Sequence, residues 1–377
     1  MFETIVRDVS DELIHRTSTK LELESLNVGA YSGIGGIYMT LQLCRKNGLD
    51  VDLACEHVET VVIEKLKRGE VNSFKLADGL MGLTVSIPHE CSLGNIKRDL
   101  TLQLNKYVSD FSKEYLSRGN LDPLHGASSA LIYYLDCNDV SLSKDLDFLV
   151  RGIIDQIKEN NGVVYALDKG KRDSLNFSVS HGLLGVLSLV ARLNETVYAK
   201  TLYTNFVTQQ FELALELLMD SSYALKGELY PASKRNGQYY YSPRIAWCYG
   251  DLSSLIVLLR LSVSLKYPQK TRELKELILN VLSRQDLAYS KVEDPFFCHG
   301  AAGILFLMRK IEVILNENNF IPHDLWHFWQ RTAVDLIKKY KVLNPLSFLD
   351  GVSGIVYGTL SSKLEIESFP DDHITVI

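Results

Sequence analysis

His181-Gly182-Leu183-Leu184-Gly185-Val186-Leu187 opens a stretch that is apolar nearly all round. A helix without a polar face is buried on most sides. The same order of residues recurs: a polar or small residue, Gly, two residues, a small residue, then an apolar run. It begins at seven places: Ser32-Gly33, Asp78-Gly79, His125-Gly126, His181-Gly182, Tyr249-Gly250, His299-Gly300 and Asp350-Gly351. The small residue three positions on is Gly36, Gly82, Ser129, Gly185, Ser253, Gly303 or Gly354. The first glycines are 53 residues apart on average, which is room for two helices and their connections. Self-similarity at a fixed period marks a repeat architecture. Between motifs the pattern is amphipathic: Leu146, Val150, Ile153 and Ile157 share one helical face, with Lys144, Asp147 and Asp155 off it. Buried and amphipathic helices therefore alternate seven times over about residues 25–362, and the chain reads as one all-α domain spanning 1–377. Ser32, Asp78 and Asp350 are the expected N-caps, since a side-chain oxygen can accept a free N–H of the first turn. Two such layers either close into an α/α toroid or stack into an open solenoid. His and Cys gathered on the fourth to sixth repeats favour the toroid, with the residue before each first glycine rimming a central cavity.

Bulk properties narrow the function. The formal net charge of -6 gives no basic footprint for nucleic acid. Residues 1–8 show no basic segment followed by an apolar one, so no signal peptide is expected. The apolar stretch from Ser254 to Leu265 is interrupted by Arg260 and is too short to span a bilayer. Six cysteines (44, 55, 91, 137, 248 and 298) are too sparse for a disulfide framework, and a cytoplasmic chain with reduced thiols is expected. Cys44, Cys55, Cys91 and Cys137 read as packing residues.

The other two cysteines are placed differently. Cys248 lies in Trp247-Cys248-Tyr249-Gly250, and Cys298 opens Cys298-His299-Gly300, both in the register of the repeat. Two thiolates and one imidazole supply three ligands to zinc. A three-ligand zinc with an open fourth position is the pattern of catalysis rather than of structure. No CxxC or nearby His offers a fourth protein ligand. His323 and His327, four apart on a helical pattern, lie outside any Gly motif and read as an exposed outer-layer pair.

His181-Gly182, Trp247-Cys248-Tyr249-Gly250 and Cys298-His299-Gly300, in this order on a sevenfold helical repeat, resemble the lanthionine synthetase C-like cyclases over about residues 25–362. The resemblance implies an α/α toroid, one zinc per chain, and formation of thioether rings in a dehydrated peptide. By position, Cys248, Cys298 and His299 correspond to the zinc ligands and His181 to the family's acid/base histidine. Arg244, Tyr249 and Asp122 correspond to its functional arginine, tyrosine and aspartate. Around Asp122 the sequence departs from the family: Pro123 and His125 are unusual, and Ser129 replaces the second glycine. The bacterial insertion domain has little room in the first three spacings; the wider interval from Gly182 to Gly250 holds a loop such as Gly227 to Tyr241.

The chemistry of those residues is consistent with this implication. Adding a thiol across the double bond of dehydroalanine or dehydrobutyrine needs a thiolate at neutral pH and a proton at the carbon beside the carbonyl. A thiol on a metal is deprotonated outright. Two protein thiolates and a neutral His cancel the zinc charge, and the electron-rich metal leaves the bound sulfur nucleophilic. His181 has a titration range suited to the proton. Arg244 either stabilises the enolate oxygen or pairs with Asp122 to orient His181. Asp122 reads equally as a turn residue, and Tyr249 as a lining one. The partners implied are a dehydrated precursor peptide, a separate dehydratase and an exporter complex, with no nucleic acid. Two alternatives use the same residues: addition of glutathione to dehydrated side chains, and a non-catalytic zinc-containing scaffold that binds peptides.

Overall fold

The structure is a computed structural model that describes residues 1–71, 73–88, 91–159, 164–165, 174–218, 228–340 and 345–369. In chain order the elements are α1 (Phe2–Thr17), α2 (Lys20–Glu24), α3 (Ile34–Lys46), α4 (Asp52–Arg68), α5 (Leu80–Ser86), α6 (Gly94–Ser117), α7 (Ser129–Cys137) and α8 (Ser143–Glu159). Strands β1 (Val164–Tyr165) and β2 (Ser174–Asn176) precede α9 (Leu183–Leu193) and α10 (Thr201–Glu216). Strands β3 (Pro231–Arg235) and β4 (Gln238–Tyr241) precede α11 (Asp251–Ser264), α12 (Pro268–Leu282), α13 (Ala301–Leu315), α14 (His323–Lys339) and α15 (Val352–Ser361).

The expected alternation is present. The helices after the glycine motifs are α3, α5, α7, α9, α11, α13 and α15. Every residue of α9 and of α15 is buried. The helices between them are α1, α4, α6, α8, α10, α12 and α14, and these are half-exposed. In α8 the predicted face of Leu146, Val150, Ile153 and Ile157 is wholly buried. No helix among the described residues is long and apolar enough to cross a membrane.

The described chain divides into two compact units, Asn105–Val292 and one made of Met1–Leu104 with residues 293–369. The second of these brings the first and last repeats together. Helix α15 packs on α3 and α1. Thr40 Oγ1 and Ser353 Oγ share a hydrogen bond of 2.8 Å, and Phe348 N donates to Tyr31 O at 3.0 Å. The first and last glycine motifs are thus direct neighbours, a juxtaposition an open stack of repeats does not make.

The motif glycines work through close approach of backbone to backbone. A Cβ on Gly82 would lie 1.8 Å from Leu76 O, on Gly185 1.9 Å from Val179 O, and on Gly354 1.8 Å from Phe348 O. Each partner is six residues earlier, so the chain folds back on itself before every buried helix. The residue after the first glycine then donates its N–H to a carbonyl seven residues earlier: Ile34 to Asn27, Leu80 to Ser73, Ala127 to Asn120, Asp251 to Arg244, Ala301 to Asp294 and Val352 to Pro345, at 2.9–3.1 Å. This corrects the predicted caps. Gly33, Gly79 and Gly351 occupy the N-cap positions, without a side-chain cap bond, and Ser32, Asp78 and Asp350 lie one residue outside. The preceding loop's carbonyl thus satisfies a first-turn N–H that has no partner within the helix. The third repeat differs because α7 starts later, at Ser129 itself, whose hydroxyl donates to Gly126 O at 2.7 Å.

Within the Asn105–Val292 unit the four strands form one antiparallel sheet in the order β1-β2-β3-β4. This corrects the expected loop from Gly227 to Tyr241: its described part is largely the β3–β4 hairpin, while Gly227 lies outside the described residues. Asn236 and Gly237, at φ 49° and 80°, form its two-residue turn. Both residues tolerate the left-handed conformations this turn needs. Strand β2 ends five residues before His181 and β4 three before Arg244, so the sheet ties together the approaches to both.

Substitution at a close-approach glycine should be severe. Gly82→Ala is expected to remove about 3 kcal/mol or more of unfolding free energy, because the new methyl meets a backbone oxygen that cannot retreat. Gly48→Ala has a φ of +77° with nothing within 4 Å and should cost only about 1 kcal/mol for its left-handed backbone. Chemical denaturation of both variants measures the difference.

Candidate active site

Two clusters of the expected residues form, one in each unit. In the Asn105–Val292 unit the loop before α7 is shaped by Asn120, whose Oδ1 accepts from Asp122 N at 3.1 Å. Asp122 Oδ1 in turn accepts from Leu124 N at 2.7 Å and His125 N at 2.9 Å. Its second oxygen, Oδ2, lies 2.9 Å from His181 Nδ1. The carboxylate is therefore fixed by backbone donors on one side and holds the imidazole on the other. An Nδ1–H donated to Asp122 leaves Nε2 as the reactive nitrogen of His181. The His125 ring stacks on that of His181, with centroids 5.6 Å apart and planes 15° apart.

Electrostatics follow from this pairing. Burial works to raise the Asp122 pKa, but the hydrogen bond and charge of His181 and the His125 N–H outweigh it and hold the carboxyl below its ordinary value. Burial works to lower the His181 pKa, but the hydrogen bond and charge of Asp122, with the Cys248 thiolate, outweigh it and hold the imidazole above its ordinary value. His181 is 44% exposed and Asp122 13%, so the histidine faces open space while its partner is covered.

Arg244 sits six residues before Gly250, and its carbonyl accepts from Asp251 N at 3.1 Å. A Cβ on Gly250 would lie 2.1 Å from that carbonyl, and this glycine also has a φ of +117°, so both space and backbone demand Gly here. The Arg244 guanidinium lies over the Tyr249 ring at 5.1 Å, and its buried Nε has no hydrogen-bond partner. Among the described residues Arg244 makes no ion pair with Asp122; the carboxylate pairs with His181 itself. Of the two readings of Arg244, orientation of His181 through Asp122 therefore has no contact behind it. Cys248 is buried, and its carbonyl accepts from Ser180 N at 3.0 Å, which links the Cys248 loop to the His181 loop within this unit.

In the other unit Cys298 N donates to Leu349 O at 2.9 Å, which fixes the start of the Cys298-His299-Gly300 turn. Cys298 Sγ lies 3.5 Å from His299 Nε2. Zinc bonds of about 2.3 Å to sulfur and 2.05 Å to nitrogen at a tetrahedral angle separate the donors by about 3.6 Å. These two residues thus fit a shared tetrahedral zinc. His299 Nδ1 lies 3.7 Å from Asp350 Oδ1. A carboxylate behind a ligating imidazole orients the ring and raises its basicity, so Asp350, expected as a cap, is placed beside His299 instead.

Cys44 and Cys55 are buried, while Cys91 and Cys137 are half-buried. Burial pushes the Cys44 thiol up to about 12 and the Cys55 thiol up to about 11, too high to supply a thiolate at neutral pH. His323 and His327 are exposed at the start of α14, with ring centroids 4.4 Å apart. Sequence reasoning read His125 only as a rim residue and passed over the turn residues six places before the first glycines. Asn27, Asn120, Asn176 and Asp294 each accept a hydrogen bond from the backbone two residues on. Their spacing from the glycines was a readable signal.

The alternation of buried and half-exposed helices defines an all-α protein of the α/α-toroid class. The profile of the lanthionine synthetase C-like proteins matches residues 3–371, and the chain belongs to that family. The nisin biosynthesis protein NisC of Lactococcus lactis subsp. lactis is 22% identical over 324 residues, which cover 78% of this chain and 75% of that protein. A solved structure of nisin cyclase superposes with a TM-score of 0.79 at 18% identity, covering 99% of this chain and 97% of the other.

The dyad sets a pH test. Asp122, with its lowered pKa, contributes stability that is present above its unfolded value of about 3.9 and is lost as pH falls through the folded value. His181, with its raised pKa, contributes stability that is full below about 6.5 and is lost as pH rises through the folded value. Asp122→Asn should therefore destabilise most between about pH 4 and 6.5 and lower the His181 pKa. Thermal melts across pH and NMR titration of His181 read the two effects.

Proposed function

We propose that this chain is a zinc-dependent cyclase that adds peptide cysteine thiols to dehydroalanine or dehydrobutyrine, forming thioether rings in a ribosomally made, dehydrated precursor. The observation that carries the reading is the 3.5 Å approach of Cys298 Sγ to His299 Nε2 in a chain of this family, a separation matched to tetrahedral zinc. Cys248 completes the protein's ligand set, with one zinc per chain and a fourth position left for water or substrate. When bound, the zinc supplies a deprotonated thiol at neutral pH.

The protein's own residues carry the rest. As the new S–C bond forms, the π electrons of the alkene move to the α-carbon and its carbonyl oxygen. Arg244, stacked on Tyr249, offers a fixed guanidinium to the oxygen as charge grows there. The proton that completes the addition comes from His181 Nε2, since Asp122 occupies Nδ1 and shifts the imidazole toward its protonated form. Tyr249 positions Arg244. The chain acts as one catalytic domain in the cytoplasm, on a precursor dehydrated by a separate enzyme and passed on to an exporter.

Mass spectrometry of a dehydrated precursor after thiol alkylation counts cysteines not yet in rings, with uncatalysed addition subtracted and glutathione as a competing thiol. Cys298→Ala should lose both metal and enzymic closure. His181→Ala should keep the metal and slow closure by roughly 10²–10⁴-fold, and Arg244→Ala should keep the metal and lose activity. Closure by His181→Ala at the wild-type rate and stereochemistry would remove its acid/base role. Preferential addition of glutathione over ring closure would replace the cyclase reading.

A further inference from the structure

The segment from Pro243 to Asp251 carries Arg244, Cys248 and Tyr249 and returns on itself through the Asp251 N–H to Arg244 O bond of 3.1 Å. One cation outside the segment grips both of its ends. Arg284 Nη1 donates to Asp251 Oδ2 at 2.6 Å and reaches Pro243 O at 3.5 Å. Both partners of the ion pair are buried: Arg284 is 5% exposed and Asp251 0%. The other Asp251 oxygen, Oδ1, accepts from Leu229 N at 3.0 Å and Tyr230 N at 3.1 Å. Two residues past α12, Arg284 is thereby joined through a single carboxylate to the segment that leads into β3. Ile245 N donates to Ser290 O at 3.1 Å, a second tie from the same side.

This network needs a reason. Packed apolar residues of similar volume often stabilise as well as a buried ion pair does. The pair ties the first residue of α11 to the chain just past α12, at the base of the loop with the reactive side chains.

We infer that Arg284 and Asp251 are positioning residues for ring formation, acting through the Pro243–Asp251 loop to hold Arg244, Cys248 and Tyr249 in place. The inference rests on the cyclase reading of that loop. It adds two residues that need not touch substrate. Loosening the loop displaces the guanidinium and the Cys248 thiol without altering the surface that first meets the peptide.

The test uses Arg284→Met and Arg284→Lys in the full chain, with Asp251→Asn alone and combined with Arg284→Met. In Arg284→Met, kcat for ring closure should fall about 10- to 100-fold with KM within about threefold, since the interaction acts on the transition state and not on peptide binding. Arg284→Lys should restore part of the loss. The double variant should be no slower than the worse single variant, as expected for two residues acting as one unit. A second readout is independent of activity: Cys248 alkylation by iodoacetamide, followed by mass spectrometry, should quicken about tenfold or more in Arg284→Met. Cys44, fully buried in the other unit, should stay protected and so exclude global unfolding. If Arg284→Met does not fold, Asp251→Asn, which removes the same ion pair, takes its place in the same two readouts. Wild-type kcat together with wild-type protection of Cys248 in a folded variant overturns the inference. If the unsubstituted protein closes no rings, the cyclase reading fails, and the alkylation ratio still decides whether Arg284 holds the loop.

Discussion

At most of the seven motifs the chain comes back on itself so closely that a single added methyl would strike a backbone oxygen at about 2 Å. The rest of the structure depends on this approach. It lets the first turn of a buried helix take a hydrogen bond from the preceding loop, so that this N–H needs no capping side chain. The residue two places before the glycine bonds to its counterpart in the next repeat: Tyr31 N to Ala77 O, Ser180 N to Cys248 O, and Cys298 N to Leu349 O. Leu349 N reaches Tyr31 O at 3.4 Å and so returns from the last repeat to the first.

The chemistry is carried on that frame by choice of side chain. Cys248 and Cys298 stand two places before a first glycine, and His181, Tyr249 and His299 one place before. Asp122 is four places before Gly126, in the Asx-shaped turn that also fixes its carboxylate. Arg244 illustrates the economy of the arrangement. It holds the position six before the glycine, where four other repeats use Asn or Asp to bond the backbone. Here Ser242 Oγ accepts from Arg244 N at 3.4 Å instead. With the turn formed from two residues earlier, the sixth position is freed for a guanidinium stacked on Tyr249.

Much of this was legible from residue order alone, because a repeat writes the same physical constraint seven times. The alternation of buried and amphipathic helices followed from apolar periodicity, as Leu146, Val150, Ile153 and Ile157 show in α8. What was not legible involves partners distant in sequence or carried by the backbone. The caps were assigned to Ser32, Asp78 and Asp350 because side-chain oxygens are visible in a sequence and carbonyls seven residues back are not. The Asp122–His181 bond joins residues 59 apart, and nothing local to Asp122 separated a turn aspartate from a functional one. Asp251 and Arg284, 33 apart, looked like one helix-starting acid and one basic residue after a helix. The β3–β4 hairpin had a local signal, Asn236-Gly237, that the strength of the helical repeat obscured.

The central claim is that Cys248, Cys298 and His299 hold one reactive zinc. Zinc K-edge X-ray absorption of the purified, zinc-loaded protein examines it at the level of bonds. Two sulfur ligands at about 2.3 Å with two nitrogen or oxygen ligands at about 2.0–2.1 Å are expected, becoming three sulfurs and one nitrogen when a thiol substrate is added. A first shell of nitrogen and oxygen alone, or one unchanged by Cys248→Ala, would contradict the account.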